Sequence, residues 1–415
     1  MTYNLVADVI TTKACATSIR SAEVELLILC CAHPDIDATN AIQIRTLLQE
    51  DLNWAYLIQT AARHKVTPLL YKTLKNTYPE AVPNRILNQL RAHFHSTALY
   101  NLLLTKELLK LLALFKDNNI AALSFKGPVL ATTVYGHVAL RQFYDIDILV
   151  HKHNILKARD LLIAQGYQLC CGEDTDISHQ LQHSHAWPMI HPETQVSIDL
   201  HWNLIPTYFD SKTDFSAEMQ WESLDSTLLL DTMVPNLNPE DLLLILCLHG
   251  AGETWASLGR CCDVAQVIRT YQNIDWALVL DKARKLHRER HLFVGLAIAS
   301  HLLGVKIPDF LQPTIQSDSC VKWFQSRIRE SLFLSDGSSE VFNSRLFTFM
   351  MKSYGWERVQ YFFNQMKPNE KDRAVLPLPA LLYPLYWLIR PIRLIRAYKV
   401  NLRQIATVFT KFVIF

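Results

Sequence analysis

Apolar residues recur at helical spacing through residues 1–119 and again after about residue 238; between them the pattern turns to strand-like alternation. The N-terminal part predicts a short apolar helix over Glu23–Cys31 and further helices over Ala41–Glu50, Trp54–His64 and Val66–Leu74. Asn53 stands where a helix cap is needed, and Pro68 suits a first turn. Val82-Pro83-Asn84 breaks the pattern. A long helix then runs from Asn84 to Asp117, with Leu104, Leu108, Leu111, Leu112 and Phe115 at helical spacing, until Asn118-Asn119 ends it.

Residues 120–202 predict strands at Ala121–Phe125, Tyr144–Val150 and Tyr167–Cys171, with helices at Val129–Tyr135 and Ile155–Gln165. Ala186–Ile190 and Val196–Trp202 read as a hairpin across His191-Pro192-Glu193-Thr194. Residues 203–237 read as irregular, with Trp221 as an anchor. Asn238-Pro239-Glu240 then combines a cap, a first-turn proline and an early acid. It opens a helical region with elements at Leu242–Gly250, Leu258–Tyr271, Trp276–Leu286 and His291–Leu303. The fold class expected is α+β, a small mixed sheet flanked by N-terminal and C-terminal helical regions. The regions are 1–119, 120–205, 206–310 and a helical extension over 311–415.

The candidate chemistry follows from strand geometry. Residues two apart on a strand share a face, so Asp145 and Asp147 point one way while Ile146 and Ile148 point the other. Neighbouring carboxylates near a core are costly unless cations or donors satisfy them. Paired oxygen ligands are what Mg²⁺ takes, usually beside substrate phosphates. In the second segment Val196, Ile198, Leu200 and Trp202 form one face, and Ser197, Asp199 and His201 the other. Asp199 becomes a third carboxylate of the group if the two strands pair. The same D-x-D spacing occurs at Asp35/Asp37, which reads as a turn and helix cap, and at Asp174/Asp176, in a polar loop.

Lys126-Gly127, then Arg141, then Asp145-Ile-Asp147-Ile-Leu-Val150, then Ile198-Asp199-Leu-His-Trp202 resemble the nucleotidyltransferase superfamily, with its DNA polymerase beta-like fold. The resemblance is closest to a bacterial group of uncharacterised nucleotidyltransferases. It extends to the helical segments Ala62–Leu74, Leu246–Ile268 and Ile274–Pro308, and covers roughly residues 20 to 310. Where that superfamily carries Gly-Ser or Gly-Gly, this chain has Gly127-Pro128. The resemblance implies transfer of a nucleoside monophosphate from an NTP to an acceptor, with Mg²⁺ (or Mn²⁺) and release of pyrophosphate. Asp145 and Asp147 would hold the metal, and Asp199 would complete a second metal site or act as base. Lys126, Gly127 and Arg141 would contact phosphates, and His201 would contact substrate or orient Asp199. The acceptor is open: a small molecule, a peptide or a protein. Two other readings are a nucleotide-binding scaffold without chemistry and a D-x-D glycosyltransferase. The latter needs a larger α/β domain ahead of its acids, where this chain is helical.

Composition narrows the rest. With 50 % hydrophobic and 19 % charged residues the chain is a folded protein, not a disordered one. A formal net charge of +2 carries no nucleic-acid signature. The 9 Cys include the adjacent pairs Cys30-Cys31, Cys170-Cys171 and Cys261-Cys262, which lack zinc spacing and read as reduced thiols of a cytoplasmic protein. The N-terminus lacks a basic start followed by an apolar core, so no signal peptide is expected. His179, His183, His185 and His191 crowd near the acidic strands, and His183 with His185 offers an alternative metal pair. His249, near Trp255, Arg260 and Asp263, belongs to the helical part of the resemblance. The stretch over 378–403 places Tyr383, Tyr386 and Trp387 ahead of Arg390, Arg393, Arg396, Lys399 and Arg403. It is a candidate for peripheral membrane contact or for packing against a partner.

Overall fold

In the computed structural model of this chain, residues 21–32, 38–170, 177, 180–181, 184–205, 221, 224–333, 344–352, 355–367, 376 and 380–397 are described. Asp35, Asp37, Asp174, Asp176, His179, His183, Lys399 and Arg403 lie outside them.

The N-terminal helices are α1 (Ala22–Ala32), α2 (Ala38–Leu47), α3 (Trp54–Arg63), α4 (Thr67–Thr77) and the long α5 (Asn84–Asp117). The Asn53 side chain accepts from the Tyr56 N–H at 3.0 Å, which is the cap expected for α3. The central part runs β1 (Ala122–Leu123), α6 (Gly127–Tyr135), β2 (Asp145–Val150), α7 (Ile155–Ala164), β3 (Gln168–Leu169), β4 (Ala186–Ile190) and β5 (Ser197–His201). Its strands form one sheet in the order β1-β2-β5-β4-β3. β2 and β5 are parallel and the other pairs antiparallel, so the sheet is mixed.

The stretch expected to be irregular over 203–237 contains a second hairpin, β6 (Asp225–Leu229) and β7 (Thr232–Asn236). Its turn is Leu230-Asp231, with Leu230 left-handed at φ +56°, where hairpin turns usually carry Asn-Gly or Asp-Gly. Leu229 and Val234 are its buried apolar residues, too few to raise an alternation in the sequence. The chain continues through α8 (Pro239–Gly252), α9 (Leu258–Thr270), α10 (Trp276–Lys285) and α11 (Glu289–Leu303). The extension holds α12 (Gln312–Ser317), α13 (Ser319–Phe333), α14 (Ser344–Met351), α15 (Gly355–Met366) and α16 (Tyr386–Ala397).

The two sheet faces differ because the strands alternate. Ile146, Ile148, Ile198 and Leu200 pack with Leu104, Leu108, Leu111 and Phe115 of α5, in a core that also holds Trp187 and Trp202. Burying each aliphatic side chain of this kind contributes about 1.5–3 kcal/mol. On the other face Leu123, Phe125 and Leu149 join a core built from the N-terminal helices together with α8, α9 and α11. The acidic face of β2 and β5 is therefore roofed by helices from both ends of the chain.

Candidate active site

Pairing of the two acidic strands builds the site. β2 and β5 run parallel with Asp147 opposite Asp199, Asp145 opposite Ser197 and Leu149 opposite His201. Residues in register on neighbouring strands face the same side, so side chains 52 or more positions apart in the chain meet. Asp147, Asp199 and His201 each offer a ligand atom, and these atoms lie within 4.8 Å of one another. Asp145 lines the same cavity one row further along the strand, outside that tight group. The cavity, about 220 Å³, is also lined by Lys126, Arg141, His185 and His249, and by Lys65 and Arg260 from the flanking helices.

Lys126 precedes α6 and is buried, at 6 % exposure. Its Nζ lies 3.6 Å from Asp147 Oδ1 and 3.0 Å from His249 Nδ1. His249 is pinned on its other nitrogen as well, with Nε2 at 2.9 Å from the Leu204 carbonyl. A carbonyl only accepts, so Nε2 carries the proton and Nδ1 presents a lone pair to the Lys126 ammonium. Burial, and then the Lys126 charge, hold the His249 imidazole well below its usual pKa, in keeping with that neutral form. A residue of α8 thus fixes the cation that faces the acids.

Gly127 follows with φ +49°, a backbone conformation that side-chain-bearing residues rarely adopt. A Cβ there would stand 3.6 Å from the Asp145 carbonyl oxygen and 3.9 Å from Phe143, ordinary contacts, so the dihedral and not crowding demands glycine. Pro128 then occupies the first turn of α6.

The acids are unequally compensated. Burial raises Asp147, but the Lys126 charge and the His201 hydrogen bond outweigh it and hold the carboxyl well below the usual range. His201 Nε2 lies 3.2 Å from Asp147 Oδ1, and its Nδ1 is buried with no hydrogen-bond partner among the described residues. Asp145 is pushed up by burial and then by the charge of Asp147. Asp199 is pushed up by burial; His201 opposes this, while Asp147 and Asp145 add to it. Asp145 and Asp199 are therefore less fully compensated than Asp147. Asp147, Asp199 and His201, whose ligand atoms lie together, form a donor set that suits a divalent cation, with Asp145 one row away in the same cavity.

Other side chains are arranged differently from the simplest reading of the sequence. Arg141 lines the cavity, yet Nε and Nη2 donate to Asp263 Oδ1 and Oδ2 at 2.8 and 2.9 Å. Tyr135 donates to Asp263 Oδ1 at 2.7 Å as well. A phosphate at Arg141 would meet a guanidinium already paired. His185 faces His201 with ring centroids 5.6 Å apart; burial, then His201 and Lys126, bring its imidazole down to about 4. It is not part of the ligand group above. Lys65 was not singled out in the sequence; its signal is a lysine just past the end of α3, left-handed at φ +59°. The His64 carbonyl beside it accepts from Gly259 N at 3.1 Å and from the Ser257 hydroxyl at 2.9 Å, which ties that turn to the start of α9. Arg260, on the same wall, pairs with Glu253.

No curated protein matches the sequence. A family model described as "Uncharacterised nucleotidyltransferase" matches residues 50–304, more than half of the chain. That span takes in α4 and α5, both acidic strands, and the helices that bring His249 and Asp263 to the cavity. The chain belongs to this family of uncharacterised nucleotidyltransferases.

Proposed function

We propose that the protein transfers a nucleoside monophosphate from an NTP to an acceptor hydroxyl, with Mg²⁺ or Mn²⁺, and releases pyrophosphate. The observation that carries this reading is the in-register parallel pairing of β2 and β5, which sets Asp147 beside Asp199 at a buried cavity containing Lys126. Asp147 and Asp199 would hold the metal, with His201 close enough to join them, and Asp145, one row along β2 in the same cavity, would complete the set. When bound, the cation supplies charge that neutralises the triphosphate and the departing pyrophosphate.

The remaining roles belong to the chain. The acceptor oxygen forms a bond to the α-phosphorus as the bond from that phosphorus to the bridging oxygen breaks. Asp199 would either complete a second metal site or, if it is left free of the cation, take the hydroxyl proton as base. Lys126, held by His249, places an ammonium on the phosphates. Gly127 lets the chain enter α6 beside the Asp145 carbonyl. Lys65 also lines the cavity and would add positive charge for the triphosphate, whereas Arg260 is paired with Glu253 there.

One observation favours a nucleotide-binding protein without chemistry: Arg141 is committed to Asp263, and Pro128 removes an N–H from the α6 entrance. Calorimetry with ATP, GTP, CTP and UTP in the presence of Mg²⁺, followed by a pyrophosphate-release assay, separates the two. Metal-dependent binding of one NTP, lost in Asp145→Asn and Asp147→Asn, supports the site. Binding with no pyrophosphate release over a wide acceptor panel favours the binding protein. Full binding in both variants overturns the assignment.

A further inference from the structure

Two helices of the C-terminal extension expose large apolar side chains and bury charged ones, although α16 also buries Tyr386. On α15 the acid Glu357 is 8 % exposed and pairs with Arg288 at 3.7 Å, while Trp356, Val359 and Phe363 are 60, 56 and 56 % exposed. On α16 the cation Arg390 is 5 % exposed, while Trp387 and Leu388 are 45 and 67 % exposed. The two helices touch each other. An ordinary surface helix does the reverse, with charge outside and an apolar stripe inside. Trp356, Val359 and Phe363 also stand at i, i+3 and i+7, so they form one stripe of α15. Scattered exposed apolar residues need no explanation, but a stripe of large side chains next to inward-facing charge marks a surface that something apolar covers.

Charge identifies the cover. From Ala374 to Phe415 the sequence holds no Asp or Glu and six Lys and Arg. A second copy of this chain would bring like charges together. An anionic bilayer offers what the stretch fits apart from the buried Tyr386 and Arg390: Trp387 and Tyr383 settle at headgroup level, Leu and Val reach the acyl boundary, and the remaining Lys and Arg of its sequence meet lipid phosphates. Among the described residues no helix is long and apolar enough to cross a membrane, which leaves a helix lying on the surface. We infer that α15 and α16 form a docking surface for an anionic lipid bilayer, entered by Trp356, Phe363 and Trp387. This surface is independent of the reaction proposed above.

The test is co-sedimentation of the full chain with vesicles of phosphatidylcholine alone and of phosphatidylcholine mixed with phosphatidylglycerol. Binding to the mixed vesicles is expected to be about tenfold or more tighter than to neutral ones, and to weaken in high salt. Tryptophan emission should shift to the blue on binding. The triple variant Trp356→Ser/Phe363→Ser/Trp387→Ser should lose binding about tenfold or more at an unchanged melting temperature, because these side chains are exposed. Arg393→Glu, a single change on α16, should weaken binding to mixed vesicles and leave binding to neutral ones as it was. Absence of binding to either vesicle overturns the inference, and so does full binding by the triple variant. A vesicle-independent dimer that the triple variant dissolves also overturns it, by showing that a second copy covers the face.

Discussion

Arg141 and Asp263, 122 residues apart, meet in a buried two-pronged ion pair, with Nε to Oδ1 at 2.8 Å and Nη2 to Oδ2 at 2.9 Å. It joins the loop before β2 to α9, and so locks the sheet to the helical roof over its acidic face. A buried pair is costly to break because the surviving charge has no solvent to turn to. Arg141→Met or Asp263→Leu alone should therefore cost about 3–5 kcal/mol of stability. The joint replacement should recover most of that loss. Urea unfolding midpoints of the three variants decide it; a loss in the double equal to the sum of the two singles would mean that the pairing itself is not what is missed.

The same pair shapes the acid side of the stability profile. Burial alone would raise the Asp263 carboxyl, but Arg141 reverses this and holds it below its ordinary value of 3.8. The unfolded chain then takes up the proton first, so the stabilisation is full above about pH 4 and is lost as pH falls through the folded value. Asp147 behaves alike through Lys126. Asp145 and Asp199, raised in the fold, act in the opposite sense and become a burden as pH rises through their folded values. Asp263→Asn should flatten the fall of melting temperature below pH 4. An unchanged slope would show that Asp263 gains nothing from its partners.

Mg²⁺ or Mn²⁺ should stabilise the protein without any nucleotide, because burial and the neighbouring acids outweigh the positive charge near Asp145 and Asp199. A cation at a hundred times its dissociation constant adds about 2.7 kcal/mol. The gain should shrink as pH is lowered, since Asp145 and Asp199 must lose their protons to bind. Thermal shift with and without the cation measures this. Asp147→Asn should abolish the shift, and Asp51→Asn, at an exposed acid, should leave it intact.

If Lys126 meets phosphate as proposed, His249 acts on it through Lys126. His249→Leu removes both of its hydrogen bonds and should weaken NTP binding about tenfold, or 1.4 kcal/mol. His249→Gln offers an amide oxygen to Lys126 and an amide N–H to the Leu204 carbonyl, and should restore most of the loss. In a Lys126→Met background His249→Leu should change NTP affinity no further. An undiminished effect there would mean that His249 serves packing alone.

Much of this protein was legible from local pattern. The 3.6-residue period outlines α5 in the sequence itself, because a helix buries a stripe that its own sequence must carry. The two-residue period laid Asp145 and Asp147 on one strand face and Asp199 and His201 on another, since alternation depends only on neighbours along the chain. The hairpin of β6 and β7 was hidden because its turn lacks the usual residues and only one face of it is covered. What tertiary structure alone decided is which faces meet. Parallel pairing put His201 against Asp147, with Asp145 one row away. Folding of the C-terminal helices over the sheet gave Arg141 to Asp263 and Lys126 to His249. Those contacts span more than 100 residues of chain, and no local period records them; they exist because a buried charge needs a partner, and here the partner comes from a helix distant in sequence.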